Sequence, residues 1–236
     1  MVMEITPRLK AYFPKGYVIE KFYLGEDAHD FKYTVSNNSI DRKTKALMSL
    51  HDGPTEDSPA IATIHSPMTR DPINEVKITV QLPSHGYSAE REKTTITLFI
   101  LRLIGHTRYA FRTKVGQPAT ARVEKFEWRP SHGNEVRTIH PSAYGCKLVR
   151  VGQEGPGGGE GGARKTRQSG ETSDGKEVVA VWGTTHGLVP SVLVPTKKPF
   201  TFQLCGSGKT GELGEEFSIF ALMTALQLYT MTEQPM

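Results

Sequence analysis

Glu215-Glu-Phe-Ser-Ile-Phe-Ala-Leu-Met-Thr-Ala-Leu-Gln-Leu-Tyr-Thr-Met-Thr232 is the stretch on which the fold turns. It contains neither glycine nor proline, and at helical spacing Phe217, Ile219, Phe220, Leu222, Met223, Ala225, Leu226, Leu228, Tyr229 and Met231 spread over most of the circumference. A helix that is apolar all round has to be surrounded rather than laid on a surface. Its apolar part, Phe217 to Met231, falls short of the ~20 residues needed to cross a bilayer. Glu215 and Glu216 in the first turn suit the positive end of the helix dipole. The sequence therefore predicts a buried helix over 215–232.

What surrounds it must come from upstream, and from Tyr17 onward the chain breaks into about twelve short extended segments punctuated by turn residues. They are 17–24, 30–36, 45–50, 60–65, 75–82, 94–102, 110–115, 119–129, 136–140, 145–151, 177–182 and 199–205. In 75–82, Val76, Ile78, Val80 and Leu82 alternate with Lys77, Thr79 and Gln81, as one core face and one solvent face require. In 94–102, Phe99 and Leu101 stand opposite Ile96, Leu98 and Ile100, which predicts cover on both faces. The segment 119–129 changes phase between Val123 and Phe126, as a β-bulge would make it do. No sustained helical period interrupts the series, so the expected architecture is mainly β: a closed antiparallel barrel of about twelve strands around the C-terminal helix. With 37% hydrophobic and 23% charged residues, the 236-residue chain has the apolar content for one such domain over 1–236.

Residues 153–175, rich in Gly, Glu, Ser and Lys/Arg, lack the apolar content of a strand and read as a flexible loop inserted between two strands. Cys146 and Cys205 lie in strand-like runs, and the first ten residues lack a secretory h-region. The expectation is two reduced thiols in a cytoplasmic protein that associates with membranes at most peripherally.

Gly206-Ser-Gly-Lys-Thr210 invites a phosphate-loop reading, but that motif requires a further glycine five residues before Gly208, and Gln203 stands there. A glycine-rich turn feeding the helix into the barrel is the better expectation. The eight histidines form no close ligand pair on any expected element, so neither a metal nor another cofactor is expected. Ser84-His85, Ser131-His132 and Asp52 supply triad ingredients without a nucleophile elbow, and no enzyme is expected. Phe126 and Trp128 alternate with charges in a way that suits stacked single-stranded nucleic acid or a core; core burial is the expectation, and nucleic acid is not an expected partner.

The formal charge of +4 favours anionic partners only mildly. The bases that matter are those that strand pairing could gather. Arg122, Lys125, Arg129, Arg137, Lys147 and Arg150 fall on successive expected strands, and Lys197 and Lys198 precede Pro199. Either neighbouring strands bring them into one patch for an anionic headgroup, or they are scattered solvent-facing residues. The candidate ligand-binding set is Lys125, Arg129, Lys147, Arg150, Lys197 and Lys198. A second basic cluster, Arg164-Lys-Thr-Arg167, lies in the loop.

Four stretches carry a resemblance: Phe126-Glu-Trp-Arg-Pro-Ser-His-Gly-Asn-Glu-Val136, Gly145-Cys-Lys-Leu-Val-Arg150, Glu177-Val-Val-Ala-Val-Trp182 and Lys198-Pro-Phe-Thr-Phe-Gln-Leu-Cys-Gly-Ser-Gly-Lys-Thr-Gly-Glu-Leu-Gly-Glu-Glu216. With the terminal helix, they make the chain resemble the tubby C-terminal-like superfamily of tubby proteins, phospholipid scramblases and LURP-one-related proteins, its uncharacterised fungal members above all. The resemblance implies a closed barrel about a central helix, and for some members binding of phosphoinositides or membranes. No headgroup-binding residue of the family is carried over onto this chain. The function expected is a monomeric, non-enzymatic module that binds anionic, phosphoinositide-type lipid, with a protein-interaction or regulatory scaffold as the alternative.

Overall fold

The computed structural model describes residues 5–14, 21–37, 46–65, 75–83, 91–103, 106–116, 121–139, 143–152, 170–185 and 200–233. Its strands are β1 (Arg8–Tyr12), β2 (Lys21–Gly25), β3 (Phe31–Asn37), β4 (Ala46–Asp52), β5 (Ala60–His65), β6 (Glu75–Pro83), β7 (Arg91–Leu103), β8 (His106–Val115), β9 (Arg122–Ser131), β10 (Ala143–Gly152), β11 (Val178–Thr185) and β12 (Phe200–Leu204). Three helices are described, α1 (Asn134–Arg137), α2 (Gly206–Lys209) and α3 (Glu215–Glu233). Every strand pairs antiparallel with its neighbours in sequence, and β1 pairs with β12 to close the ring.

α3 is the buried helix that the sequence predicts. Phe217, Ile219, Phe220, Leu222, Met223, Leu226 and Tyr229 are all without solvent exposure and belong to one core with the inward residues of the strands. Phe126 of β9 packs on Phe217 with ring centroids 4.7 Å apart, and Phe200 of β12 packs on Tyr229 at 5.1 Å. The helix polar group with no exposure at all, Thr224, accepts the indole N–H of Trp128 (Nε1···Oγ1 2.8 Å) and donates back to the Phe220 or Ala221 carbonyl. Phe126 and Trp128 are thus core residues, which leaves neither ring for base stacking.

Several expectations are corrected. β1 lies ahead of the region read as strands; its single core residue, Leu9, is too little for a periodic signal, yet this strand removes the edge between β2 and β12. The segment 136–140 is not a strand, since 134–137 form α1. Val136 and Arg137 donate to the Gly133 carbonyl, and Val136 fits over Gly183 of β11, where a side chain would lie 3.1 Å from it. One segment leaves the set and another enters, so twelve strands remain.

β9 pairs with β8 without a shift from Arg122 to Trp128, so its phase change is not a bulge. The irregularity lies on β10 between Arg150 and Gly152. On β9, polar and apolar residues have exchanged faces instead: Glu124 points inward at 3% exposure, and Val123 points outward at 52%. Phe99 is likewise 42% exposed, against the expectation of cover on both faces, because α3 covers the inner face alone. The loop expected at 153–175 is structured at its end: Val178 donates to the Gly170 carbonyl, Glu171 bridges Glu177, and the Thr172 hydroxyl bonds to Asp174 and Lys176. Residues 153–169 and the Arg164–Arg167 cluster lie outside the described residues.

Candidate functional site

The inward Glu124 is the key to one end of the barrel. Arg150 has the same parity as Phe126, its partner across β9 and β10, and so also points inward. The two form a bidentate pair, Nε–Oε2 2.6 Å and Nη2–Oε1 3.0 Å. Arg150 Nη1 also reaches Glu177 at 3.3 Å and Glu212 at 3.1 Å, while Arg122 adds a second guanidinium to Glu124 at 2.6 Å. Hydrogen bonds from Arg150 hold the Glu124 carboxyl below its usual range despite burial, and those from Glu124 raise Arg150 further. Arg150 is therefore a structural cation, committed to carboxylates on all sides.

The same network accounts for the glycine-rich turn. The Glu177 carboxylate accepts the Ser207 backbone N–H at 2.6 Å and its hydroxyl at 2.9 Å, where a phosphate loop would hold phosphate. Gly208 comes so close to the Val179 carbonyl of β11 that a Cβ would overlap it, and Gly206 has φ +46°. These glycines serve close packing and a left-handed turn.

Of the other candidate bases, Lys147 and Arg129 face each other on the outer side of β9 and β10. Lys147 is 7% exposed and pairs with Glu135 of α1 at 2.6 Å. Arg129 is held between Glu127 (3.1 Å) and Asp174 (3.0 Å). Lys125 meets the other oxygen of Glu127 at 3.1 Å, and Arg108 lies 3.9 Å from that residue. One buried carboxylate is thus ringed by three cations. Burial pushes the Glu127 carboxyl up, but hydrogen bonds from Lys125 and Arg129 outweigh it and hold the group ionised below the usual range. Lys197 and Lys198 lie outside the described residues, and Arg137 sits exposed on α1.

The expected set is thus divided between the barrel end and the outer wall. Lys125 and Arg129 instead belong to a wider surface that the sequence reading did not assemble. Along the outer face of β8, Arg108, Arg112 and Lys114 alternate with the inward Tyr109, Phe111 and Thr113. Arg112 faces Lys125 across the ladder, and Lys114 faces Val123. On β6 and β7 the outward positions include Lys77 and Lys93, with Thr79, Thr95 and Thr97 between them. Against these cations the outer face of β6–β9 places only the carboxylates of Glu75 and Glu127 among the described residues. Like charges directly opposite are unfavourable in a ladder, and the Glu127 carboxylate offsets that of Lys125. The signal for this wall was present as alternate basic residues from Arg108 to Lys114; which strands flank it was not.

Carboxylates gather elsewhere. Glu26, Asp27 and Asp30 follow β2, Asp52 ends β4, and Glu56 and Asp57 lie in the turn from β4 to β5, all exposed. In the closed ring β2 and β8 are diametrically opposed. Among the described residues no group of His, Cys, Asp and Glu is placed to hold a metal ion, and no helix is long and apolar enough to cross a membrane. No family model matches the chain, and no curated protein or solved structure matches it either.

Proposed function

We propose that the protein is a non-enzymatic binding module that sets the outer wall of β6–β9 against anionic membrane lipid, phosphoinositide-type headgroups included. The observation that carries this reading is the concentration of Lys77, Lys93, Arg108, Arg112, Lys114 and Lys125 on one wall, with the acidic β2–β3 turn of Glu26, Asp27 and Asp30 across the ring from β8. The separation of charge turns the basic wall toward a negative surface during approach. Because α3 fills the interior, contact has to be made on the outside. Membership of the tubby C-terminal-like superfamily belongs to the same proposal, and the barrel closed about a C-terminal helix is what that resemblance implies.

Each Lys or Arg near an anionic membrane contributes about 1 kcal/mol, screened over a Debye length of ~8 Å at physiological salt. Replacing Lys77 and Lys114 together by alanine should therefore weaken binding to phosphatidylserine or phosphoinositide vesicles roughly thirtyfold. Both side chains are exposed, so the fold should be unaffected. Vesicle co-sedimentation at two salt concentrations is the test. Absence of binding at low salt would sink the proposal, as would a double variant that binds like the native protein.

A further inference from the structure

Phe99 and Val123 are two of the three large hydrophobic residues that the described structure leaves exposed, at 42% and 52%; the third, Met231, is at the end of α3. Both stand on the basic wall. Phe99 of β7 lies between Ala110 of β8 and Glu75 of β6, at the margin of the cations, and Val123 of β9 faces Lys114 of β8. Four residues of β8 and two strand spacings separate them, about 17 Å along a diagonal of the wall. Arg112 and Lys125 occupy the ground between. Val123 is also the residue that makes β9 break its alternation, an apolar side chain on the outer face while Glu124 is drawn inward.

We infer that Phe99 and Val123 are insertion points: the wall lies flat on an anionic bilayer, its cations in the headgroup layer and these two side chains in the acyl boundary. This rests on the lipid reading above and adds an apolar, salt-resistant component to it. Isolated exposed hydrophobic residues need no explanation when scattered. Here both flank the basic surface that Arg112, Lys114 and Lys125 make among the described residues, which is how peripheral proteins combine apolar burial with charge. A protein partner would call for the reverse arrangement, an apolar centre inside a polar rim.

The test uses the intact protein carrying Phe99→Trp, Val123→Trp or, as a control, Lys32→Trp on β3, which lies across the ring from β9. The native tryptophans, Trp128 and Trp182, are buried and supply a constant background. Each variant is mixed with phosphatidylcholine–phosphatidylserine vesicles brominated in the acyl chains, and co-sedimentation is measured in parallel. Quenching of the reporters at 99 and 123 but not at 32 is the expected result. The Phe99→Ser, Val123→Ser double variant should then bind roughly tenfold more weakly, with the loss persisting at high salt. Sedimentation without quenching at 99 and 123 overturns the insertion and leaves the electrostatic reading standing; absence of sedimentation overturns both.

Discussion

Thr224→Val tests where the helix sits inside the barrel. Valine matches threonine in shape, so the substitution opens no cavity and changes a single thing: the indole N–H of Trp128 loses its acceptor at 2.8 Å. Both residues are without solvent exposure, so water does not replace the lost partner. A buried donor left unsatisfied costs about 1–3 kcal/mol. The Phe220 and Ala221 carbonyls that the hydroxyl also touches remain in the helix ladder and add little. With an unfolding entropy of about 2.1 cal/mol/K per residue over 236 residues, that cost lowers Tm by roughly 2–6 °C. Thr224→Ser keeps the hydroxyl and loses one methyl, about 1 kcal/mol, and should leave the near-ultraviolet circular dichroism of the tryptophans unchanged. Thr224→Val should shift that signal as well as the melting temperature. A valine variant that melts within a degree of the native protein, with an unaltered tryptophan spectrum, would refute the register of α3 against β9.

Three further predictions concern the core, the ion pairs and the thiols. Leu222→Asp or Leu226→Asp places a charge among apolar side chains with no exposure and should abolish cooperative unfolding; a soluble, equally stable variant would show that the helix is not enclosed. The Glu124 carboxyl is held low by hydrogen bonds from Arg150, and that of Glu135 is held low by Lys147 against the opposing effect of burial. Asp174 falls from 3.8 to about 2, where bonds from Thr172 and Arg129 likewise outweigh burial. Folded values below unfolded ones mean stability that is complete above the unfolded values and lost as pH falls through the folded ones. Denaturant midpoints should therefore hold from pH 7 to about 5 and decline toward pH 2, with a shallower decline in Glu124→Gln; a profile flat to pH 2 would contradict the assignment. Burial raises the thiols of Cys146 and Cys205 to about 12 and about 11. A disulfide reagent at pH 8 should label both only in denaturant, and rapid labelling of the folded protein would count against their placement.

The strands most legible in the sequence were those with one wet and one dry face, β6 above all, because their alternation is imposed by a local choice between core and water. Where a side chain answered to a distant partner, that logic broke down. Val136 looked like a strand residue but packs on Gly183, and Arg150, a candidate base for an anionic ligand, is neutralised by Glu124 inside the barrel end. Of the candidate bases, Lys125 and Arg129 lie on the wall in ion pairs with Glu127, and Lys147 is paired with Glu135. Arg108, Arg112 and Lys114 were visible as an alternating set, yet their joining to Lys125 required the β8–β9 register.

By itself the sequence determined the architecture: a helix apolar on every side needs a shell, and a chain of short alternating strands can supply one. Those properties are local in composition and period, so they can be read without knowing what lies next to what. Tertiary structure alone decided that β1 closes the ring and that Glu177 occupies the glycine-rich turn. It also decided that the free face of β6–β9 collects cations with Phe99 and Val123 among them. Each of these depends on pairing between residues far apart in the chain, and pairing is set by closure and register, to which no short stretch of sequence has access.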